Sequence, residues 1–254
     1  MNTLRFLAAT ALLTVSSIAS ADFIGIYAGA NKWNYDADGD VRSVGGDVDL
    51  NNDLGWSDGD DNVYYVAFEH PVPFLPNVRI QQNNLKGSAN GVASQNFTFG
   101  SVNFTTGNGT ITNYDFSNTD YTLYYEVLDN WVNLDLGITG KQFDGGFALT
   151  STSSGNLPVI TSENLNLSGV VPMLYGKAQF DLPFTGWSAG ATMNIGQTTD
   201  DKMTDSTLYI SYEGDSGFGF EVGYRNFTIE FDDFDALSSD MTIDGFYAGL
   251  NFHF

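Results

Sequence analysis

Two histidines are the side chains of this sequence best suited to transfer protons near neutral pH. His70 directly precedes a proline-rich turn, and His253 is the last residue but one. Both are therefore predicted at the same end of an extended, sheet-forming chain, and neither reaches residues at the other end. The sequence predicts a protein that is not an enzyme.

Aspartates early in the chain have the spacing of a calcium-binding loop. Asp36, Asp38, Asp40 and Asp47 occupy positions 1, 3, 5 and 12 of that pattern. The pattern is broken at position 6, where Val41 replaces glycine, and position 12 is aspartate instead of glutamate. Weakly bound calcium is one hypothesis, and a solvated acidic loop with no cofactor is the alternative.

The overall charge restricts the partners of the chain. The sequence has 31 acidic and nine basic residues, a net charge of −22, and it contains no cysteine. Such a surface repels phosphates, so nucleic acid is not an expected partner. Without cysteine, neither disulfides nor thiolate metal sites contribute to stability.

The first residues have the pattern of a secretory signal peptide. Arg5 precedes an apolar stretch, and Ala19-Ser20-Ala21 has the small-x-small pattern of a cleavage site. We expect a signal peptide over residues 1–21 and one barrel domain over residues 22–254. No later apolar run approaches the ~20 residues that a transmembrane helix needs.

Segments of alternating apolar and polar residues predict an all-β protein. Ten such segments have about the length that a tilted strand needs to cross a bilayer. They are Phe23–Trp33, Asn62–His70, Val78–Leu85, Tyr114–Val127, Trp131–Phe143, Ser168–Asp181, Trp187–Gln197, Asp205–Glu213, Gly217–Phe231 and Asp240–Phe254. Eight strands are the alternative, if the third or the sixth segment does not form a strand.

The connections between these segments alternate in length. The long ones are 34–61, 86–113, 144–167, 198–204 and 232–239, and the short ones are Pro71–Asn77, Leu128–Asn130, Leu182–Gly186 and Gly214–Ser216. Outer-membrane barrels have long extracellular loops and short periplasmic turns. The pattern predicts a single antiparallel transmembrane β-barrel in the cell outer membrane, with both termini periplasmic and acidic extracellular loops.

In such a barrel the apolar face of each strand contacts lipid and the polar face lines the lumen. The predicted lumen charges are Glu69, Arg79, Glu126, Asp135, Lys141, Lys177, Glu213, Glu221 and Arg225. Because isolated buried charges are costly, we expect these groups to pair, for example Lys177 with Asp135 or Glu213 with Arg225. A mostly filled lumen is the main interpretation, and a narrow channel or transporter for small, preferably cationic, solutes is the alternative.

The end of the sequence has aromatic and aliphatic residues at every second position, including Phe246, Leu250, Phe252 and Phe254. This strand resembles the signal that the outer-membrane barrel assembly machinery of Gram-negative bacteria recognises.

With Asn52–Trp56 and the proline-rich turn Phe68–Asn77, the chain resembles a poorly characterised family of small Gram-negative outer-membrane β-barrel proteins. The resemblance implies the architecture and the location, with outer-membrane lipid, lipopolysaccharide and the assembly machinery as partners. It implies no catalytic residue and leaves the oligomeric state open.

Overall fold

The computed structural model describes residues 24–43, 46–152, 160–198, 201–234 and 237–254. The predicted signal peptide lies outside the described residues. Within them no helix is long and apolar enough to cross a membrane.

Fifteen strands make up the described structure. They are β1 (Gly25–Ser43), β2 (Gly46–Asp49), β3 (Asp58–Glu69), β4 (Asn77–Asn83), β5 (Lys86–Val92), β6 (Phe97–Phe99), β7 (Val102–Phe104), β8 (Gly109–Asp115), β9 (Asn118–Leu128), β10 (Val132–Thr152), β11 (Ile160–Asp181), β12 (Trp187–Gln197), β13 (Lys202–Glu213), β14 (Phe218–Phe234) and β15 (Leu237–His253).

Ten of these strands close into one antiparallel barrel. Around the barrel the order is β1, β3, β4, β9, β10, β11, β12, β13, β14 and β15, and β15 pairs with β1 to close it. The prediction of a ten-stranded barrel is confirmed, and the third and sixth predicted segments correspond to β4 and β11. The last strand pairs with the first and with β14, so no open edge remains where the two ends of the sheet meet.

The strands are longer than predicted at one end of the barrel. We call the end with the short connections the turn end and the opposite end the loop end. β1 continues ten residues beyond Trp33, and β10 continues to Thr152, because pairing with β2, β8 and β11 satisfies their backbone groups. The predicted long connections 34–61 and 86–113 are therefore largely folded into β-structure.

Tyr114 belongs to β8 and not to the barrel strand that was predicted to begin there. The chain turns at Phe116 and Ser117, where the Asp115 carboxylate accepts a hydrogen bond from the Ser117 N–H at 3.0 Å. The barrel strand β9 begins after this turn, at Asn118.

Apolar side chains cover the outside of the barrel near the turn end. On β14, Phe218, Phe220, Val222 and Tyr224 all point outward and are between 38% and 67% exposed. Other strands contribute outward Ile26, Val66, Phe68, Ile80, Leu123, Leu136, Ile138, Leu174, Leu208, Ile210, Phe246 and Leu250. The arrangement is the reverse of a water-soluble sheet and matches the expectation for a barrel surrounded by lipid.

A second apolar region lies inside the barrel, at the loop end. It is a continuous core that includes Trp33, Tyr35, Leu50, Leu54, Trp56, Phe104, Phe116, Phe143, Phe147, Phe227, Ile229, Phe231 and Ile243. The loop end is thus packed like the interior of a soluble domain, whereas the interior nearer the turn end is polar.

Candidate functional site

A group of charged side chains crosses the lumen below the apolar core. This transverse network consists of Asp120, Lys141, Asp205 and Arg225, all fully or almost fully buried. The Lys141 ammonium lies 2.9 Å from the Asp120 carboxylate and 3.0 Å from that of Asp205. Arg225 donates two hydrogen bonds to Asp205, at 2.7 and 2.9 Å. The network joins β9 and β10 to β13 and β14 on the other side of the barrel.

Neutral partners complete this network. Arg225 also donates to the side-chain oxygen of Asn83 at 2.9 Å, and Lys141 donates to that of Asn118 at 3.1 Å. The Arg225 guanidinium lies over the Trp33 ring, 4.6 Å from its centroid. A buried ion group is stable only when its charges are paired and hydrogen-bonded, and these contacts give Lys141 and Arg225 three hydrogen bonds each.

The segment Asp49–Trp56, which we call the plug segment, fills the barrel above the network. Leu50 and Leu54 are completely buried, and the Trp56 ring stacks on Tyr114 with centroids 3.8 Å apart. Two strand hydroxyls fix its backbone: Thr110 donates to the carbonyl oxygen of Asp53 at 2.5 Å and Thr112 to that of Leu54 at 3.1 Å.

Close approach of the plug segment to β5 requires glycine. Gly55 has a φ of +70°, and an added Cβ would lie 2.0 Å from the carbonyl oxygen of Asn90. A side chain at Gly91 would meet the carbonyl oxygen of Asp53 at 2.4 Å. The plug segment is thereby held against the sheet at backbone contact distance.

A cavity of about 590 Å³ occupies the lumen between the transverse network and the turn end. Its walls carry six tyrosine rings, contributed by Tyr27, Tyr65, Tyr124, Tyr175, Tyr209 and Tyr247. Three of these rings are held by their hydroxyls: Tyr124 donates to Glu69, Tyr209 to Gln179 and Tyr247 to Glu221, at 2.6–2.7 Å. Asp205 and Arg225 form part of its inner wall.

The structure places the nine predicted lumen charges inside the barrel, in two groups. Lys141 and Arg225 belong to the transverse network, and the other seven, Glu69, Arg79, Glu126, Asp135, Lys177, Glu213 and Glu221, line the cavity. Lys177 lies 3.5 Å from Asp135, the pair that the sequence suggested.

The suggested pair of Glu213 with Arg225 does not form. Glu213 lies near the turn end, 3.3 Å from the His253 ring, whereas Arg225 binds Asp205, eight residues earlier on β13 and deeper in the lumen. Asp120 and Asp205 were not predicted as lumen charges. The sequence pattern could have identified Asp205, because every second residue of β13 faces inward and Asp205 alternates in step with Thr207, Tyr209 and Ser211.

The structure does not arrange Asp36, Asp38, Asp40 and Asp47 as a calcium-binding loop, and weak calcium binding stays a prediction. Asp36, Asp38 and Asp40 lie on the extended strand β1 and Asp47 lies on β2, so they do not curve around a common centre. No group of three His, Asp or Glu side chains among the described residues is arranged to hold a metal ion. Partial burial, together with the carboxylates of Asp47 and Asp240, raises the pKa of Asp40.

Both histidines lie at the turn end. The His70 ring accepts a hydrogen bond from the Val72 N–H at 3.2 Å, within the proline-rich turn. The His253 ring stacks on Tyr27, with centroids 4.0 Å apart. Neither ring is near the aspartates of the loop end.

A closed ten-stranded antiparallel barrel with an apolar outside and a polar lumen has the fold of the outer-membrane β-barrel proteins. No protein-family model matches the chain, and no curated protein matches it, so the family suggested by sequence stays a prediction.

Solved structures match over nearly the whole chain. The outer membrane protease OmpT from Escherichia coli is 12% identical, with 94% of this chain and 100% of that chain covered and a TM-score of 0.50. The Pseudomonas putida toluene transporter TodX is 10% identical, with 92% and 90% covered and a TM-score of 0.36. A Pseudomonas aeruginosa FadL homologue is 7% identical, with 91% and 90% covered and a TM-score of 0.35. At these identities the likeness to OmpT concerns the fold alone.

Proposed function

We propose that the protein is an integral barrel of the outer membrane, without enzymatic activity, whose lumen is sealed to solutes. Both termini face the periplasm, and the sealed loop end presents its acidic residues to the cell exterior. The observation that carries this proposal is the succession of the transverse network and the plug segment across the lumen. A solute entering from the turn end meets first four paired charges and then a close-packed apolar core.

The outer surface supports residence in a membrane. The outward apolar side chains encircle the barrel, and Trp131 and Trp187 lie on the outside directly after turns, with 59% and 41% of their surfaces exposed. Tryptophans at that level are typical of the interface between lipid and water.

The positions of the histidines support a role without catalysis. A hydrolytic site at the loop end would need a proton-transferring group poised near neutral pH, and histidine is the usual one. The two histidines of this chain lie at the opposite end of the barrel, against Val72 and Tyr27.

Planar-bilayer recording tests the seal. The purified, refolded protein is expected to give no discrete conductance steps, whereas a variant lacking Asp49–Trp56 together with Lys141→Ala is expected to conduct. Conductance steps from the unaltered protein would contradict the sealed lumen and favour a narrow channel.

Membrane residence is checked independently by outer-membrane fractionation and by heat-modifiable migration in detergent gels. A protein recovered in the soluble periplasmic fraction would contradict the whole proposal.

The second candidate is a narrow channel for small cationic solutes. The observation in its favour is the cavity, in which carboxylates outnumber cationic groups. A cation-selective current that disappears in Glu221→Gln would support it.

A further inference from the structure

The cavity at the turn end has the dimensions of a small-molecule site. Ligand pockets commonly enclose about 300–1,000 Å³, and this cavity encloses about 590 Å³. Its inner end is closed by the transverse network, so it is a recess and not part of an open passage. Three of its six tyrosine rings are fixed by hydroxyl hydrogen bonds, which provides rigid side walls before any ligand enters.

Three carboxylates in this cavity accept hydrogen bonds only from neutral groups. Glu69 accepts from Tyr124, Glu221 from Tyr247 and Glu126 from Asn77, at distances of 2.6–3.0 Å. None of the three forms an ion pair among the residues that the structure describes. These hydrogen bonds orient the carboxylates. Arg79 and Lys177 attract Glu221 without forming an ion pair with it, but nine carboxylates and only three Lys or Arg side chains line the cavity.

The cationic side chains of the cavity do not balance these charges. Lys177 is paired with Asp135, and His253 lies beside Glu213. Arg79 lies over the Tyr65 ring, 4.4 Å from its centroid, and donates to Gln81 at 2.7 Å. In a recess of low dielectric the remaining negative charge favours a cation from solution.

The positions of the carboxylates define the shape of that cation. Glu126 on β9 and Glu221 on β14 are five strands apart in the ten-stranded barrel and therefore lie on opposite walls. In the described part of the chain no three carboxylates come together as metal ligands do. A metal ion needs its oxygen ligands within about 2.6 Å of one centre. Carboxylates on opposite walls are better suited to two ammonium groups joined by methylenes, with the methylenes against the tyrosine rings.

We propose that the turn-end cavity is a binding site for aliphatic diamines and polyamines. One ammonium group binds near Glu69 and Glu126 at the mouth, and another binds Glu221 on the opposite wall. The binding carboxylates Glu69, Glu126 and Glu221 belong neither to the transverse network nor to the plug segment, so diamine binding can be measured independently of conductance and of the orientation in the membrane.

Isothermal titration calorimetry of the full protein, folded in non-ionic detergent, tests the site. Putrescine is expected to bind, and butylamine about tenfold more weakly because it reaches only one wall. Succinate and magnesium chloride are expected to give no saturable heat. Glu221→Gln and Glu126→Gln are each expected to weaken putrescine binding about tenfold. Glu230→Gln, which removes an exposed carboxylate at the loop end, is the matched control and should leave the affinity unchanged.

Several results would overturn the proposal. One is the absence of putrescine binding, and another is binding of magnesium or succinate with the affinity of putrescine. A third is an equal loss of putrescine affinity in Glu230→Gln, which would indicate general attraction of cations to an acidic protein. Heat-modifiable migration verifies that each variant is folded. Glu126 lies at the exposed mouth, so Glu126→Gln remains a fair test if Glu221→Gln fails to fold.

Discussion

Asp205 shows how a single residue determines the interior of this barrel. Its carboxylate accepts from both Lys141 and Arg225, and these two cations reach it from different strands. Removing either cation would leave Asp205 with the other, whereas removing Asp205 would leave two cations competing for fewer acceptors. The central anion therefore contributes more to the seal than any one cation does.

We predict that Asp205→Ala destabilises the barrel strongly. Breaking a buried ion group by removing one partner costs about 3–5 kcal/mol, because it leaves uncompensated buried charge. The measurement is urea unfolding in detergent or lipid vesicles. Glu230→Gln, which disrupts an exposed pair with Lys202, should cost less than about 1 kcal/mol. Equal effects of the two substitutions would show that the network does not stabilise the barrel.

On the scale of elements, the seam between β1 and β15 closes the barrel. Phe254 extends this pairing by two backbone hydrogen bonds with Ile26, at 2.8 and 2.9 Å. Its side chain points outward and is 79% exposed, so it is available to a recognition factor as well as to lipid.

We predict that deleting Phe254 lowers the yield of assembled barrel. The deletion removes both hydrogen bonds of the seam and the terminal aromatic ring, which the assembly machinery is expected to recognise. The measurement is the heat-modifiable fraction in outer membranes. Phe184→Ala is the control, because it removes a fully exposed phenylalanine from a turn at the same end. An undiminished yield on deletion would contradict the assembly role.

The plug segment is the second element whose position controls the lumen. We predict that Gly55→Ala displaces it, because the new Cβ meets a backbone carbonyl and the left-handed φ costs about 1–3 kcal/mol. The expected result is faster proteolysis at the loop end and a lower midpoint of thermal unfolding.

Gly107→Ala is a matched control for this change. Gly107 has a φ of +85°, but an added Cβ would meet nothing within 4 Å. The difference between the two variants isolates the steric contact with β5. Identical behaviour would mean that only backbone strain matters and that the plug segment is not held by close approach.

At the scale of the whole molecule, the barrel has one apolar surface outside and one apolar core inside. The outer surface lies nearer the turn end and the inner core lies at the loop end, beyond the polar lumen. The molecule thus combines a wall suited to lipid with a folded cap that is packed like a soluble domain.

We predict that Leu208→Arg strongly impairs stability in lipid vesicles. Leu208 is 68% exposed on the outward face of β13, so in water such a change would cost at most about 0.5 kcal/mol. Facing the bilayer core, the arginine costs about 2–4 kcal/mol. Urea unfolding in vesicles measures the difference, with the exposed turn substitution Asp215→Arg as control. A near-neutral effect of Leu208→Arg would argue against a lipid-facing wall.

The sequence by itself determined the number of barrel strands, the order of long and short connections, and the inward face of many charges, although not of Asp120 and Asp205. These properties are local. A period of two assigns each residue to one face, and runs of glycine, proline and polar residues mark the turns. For this reason Glu221 and Arg225 could be assigned to the lumen without coordinates. The bounds of β12 could be predicted for the same reason.

Only the tertiary structure decided which charges meet and what fills the loop end. Arg225 and Asn83 are separated by 142 positions, and they touch because the closed barrel curves β14 toward β4. Nothing in a local pattern encodes such a contact. Local pattern also failed for Asp36, Asp38 and Asp40. Their spacing suits a calcium loop, but pairing of β1 with β3 and β15 keeps these residues in an extended strand. Closure of the sheet converted separate amphipathic strands into a sealed lumen with a recess beneath it.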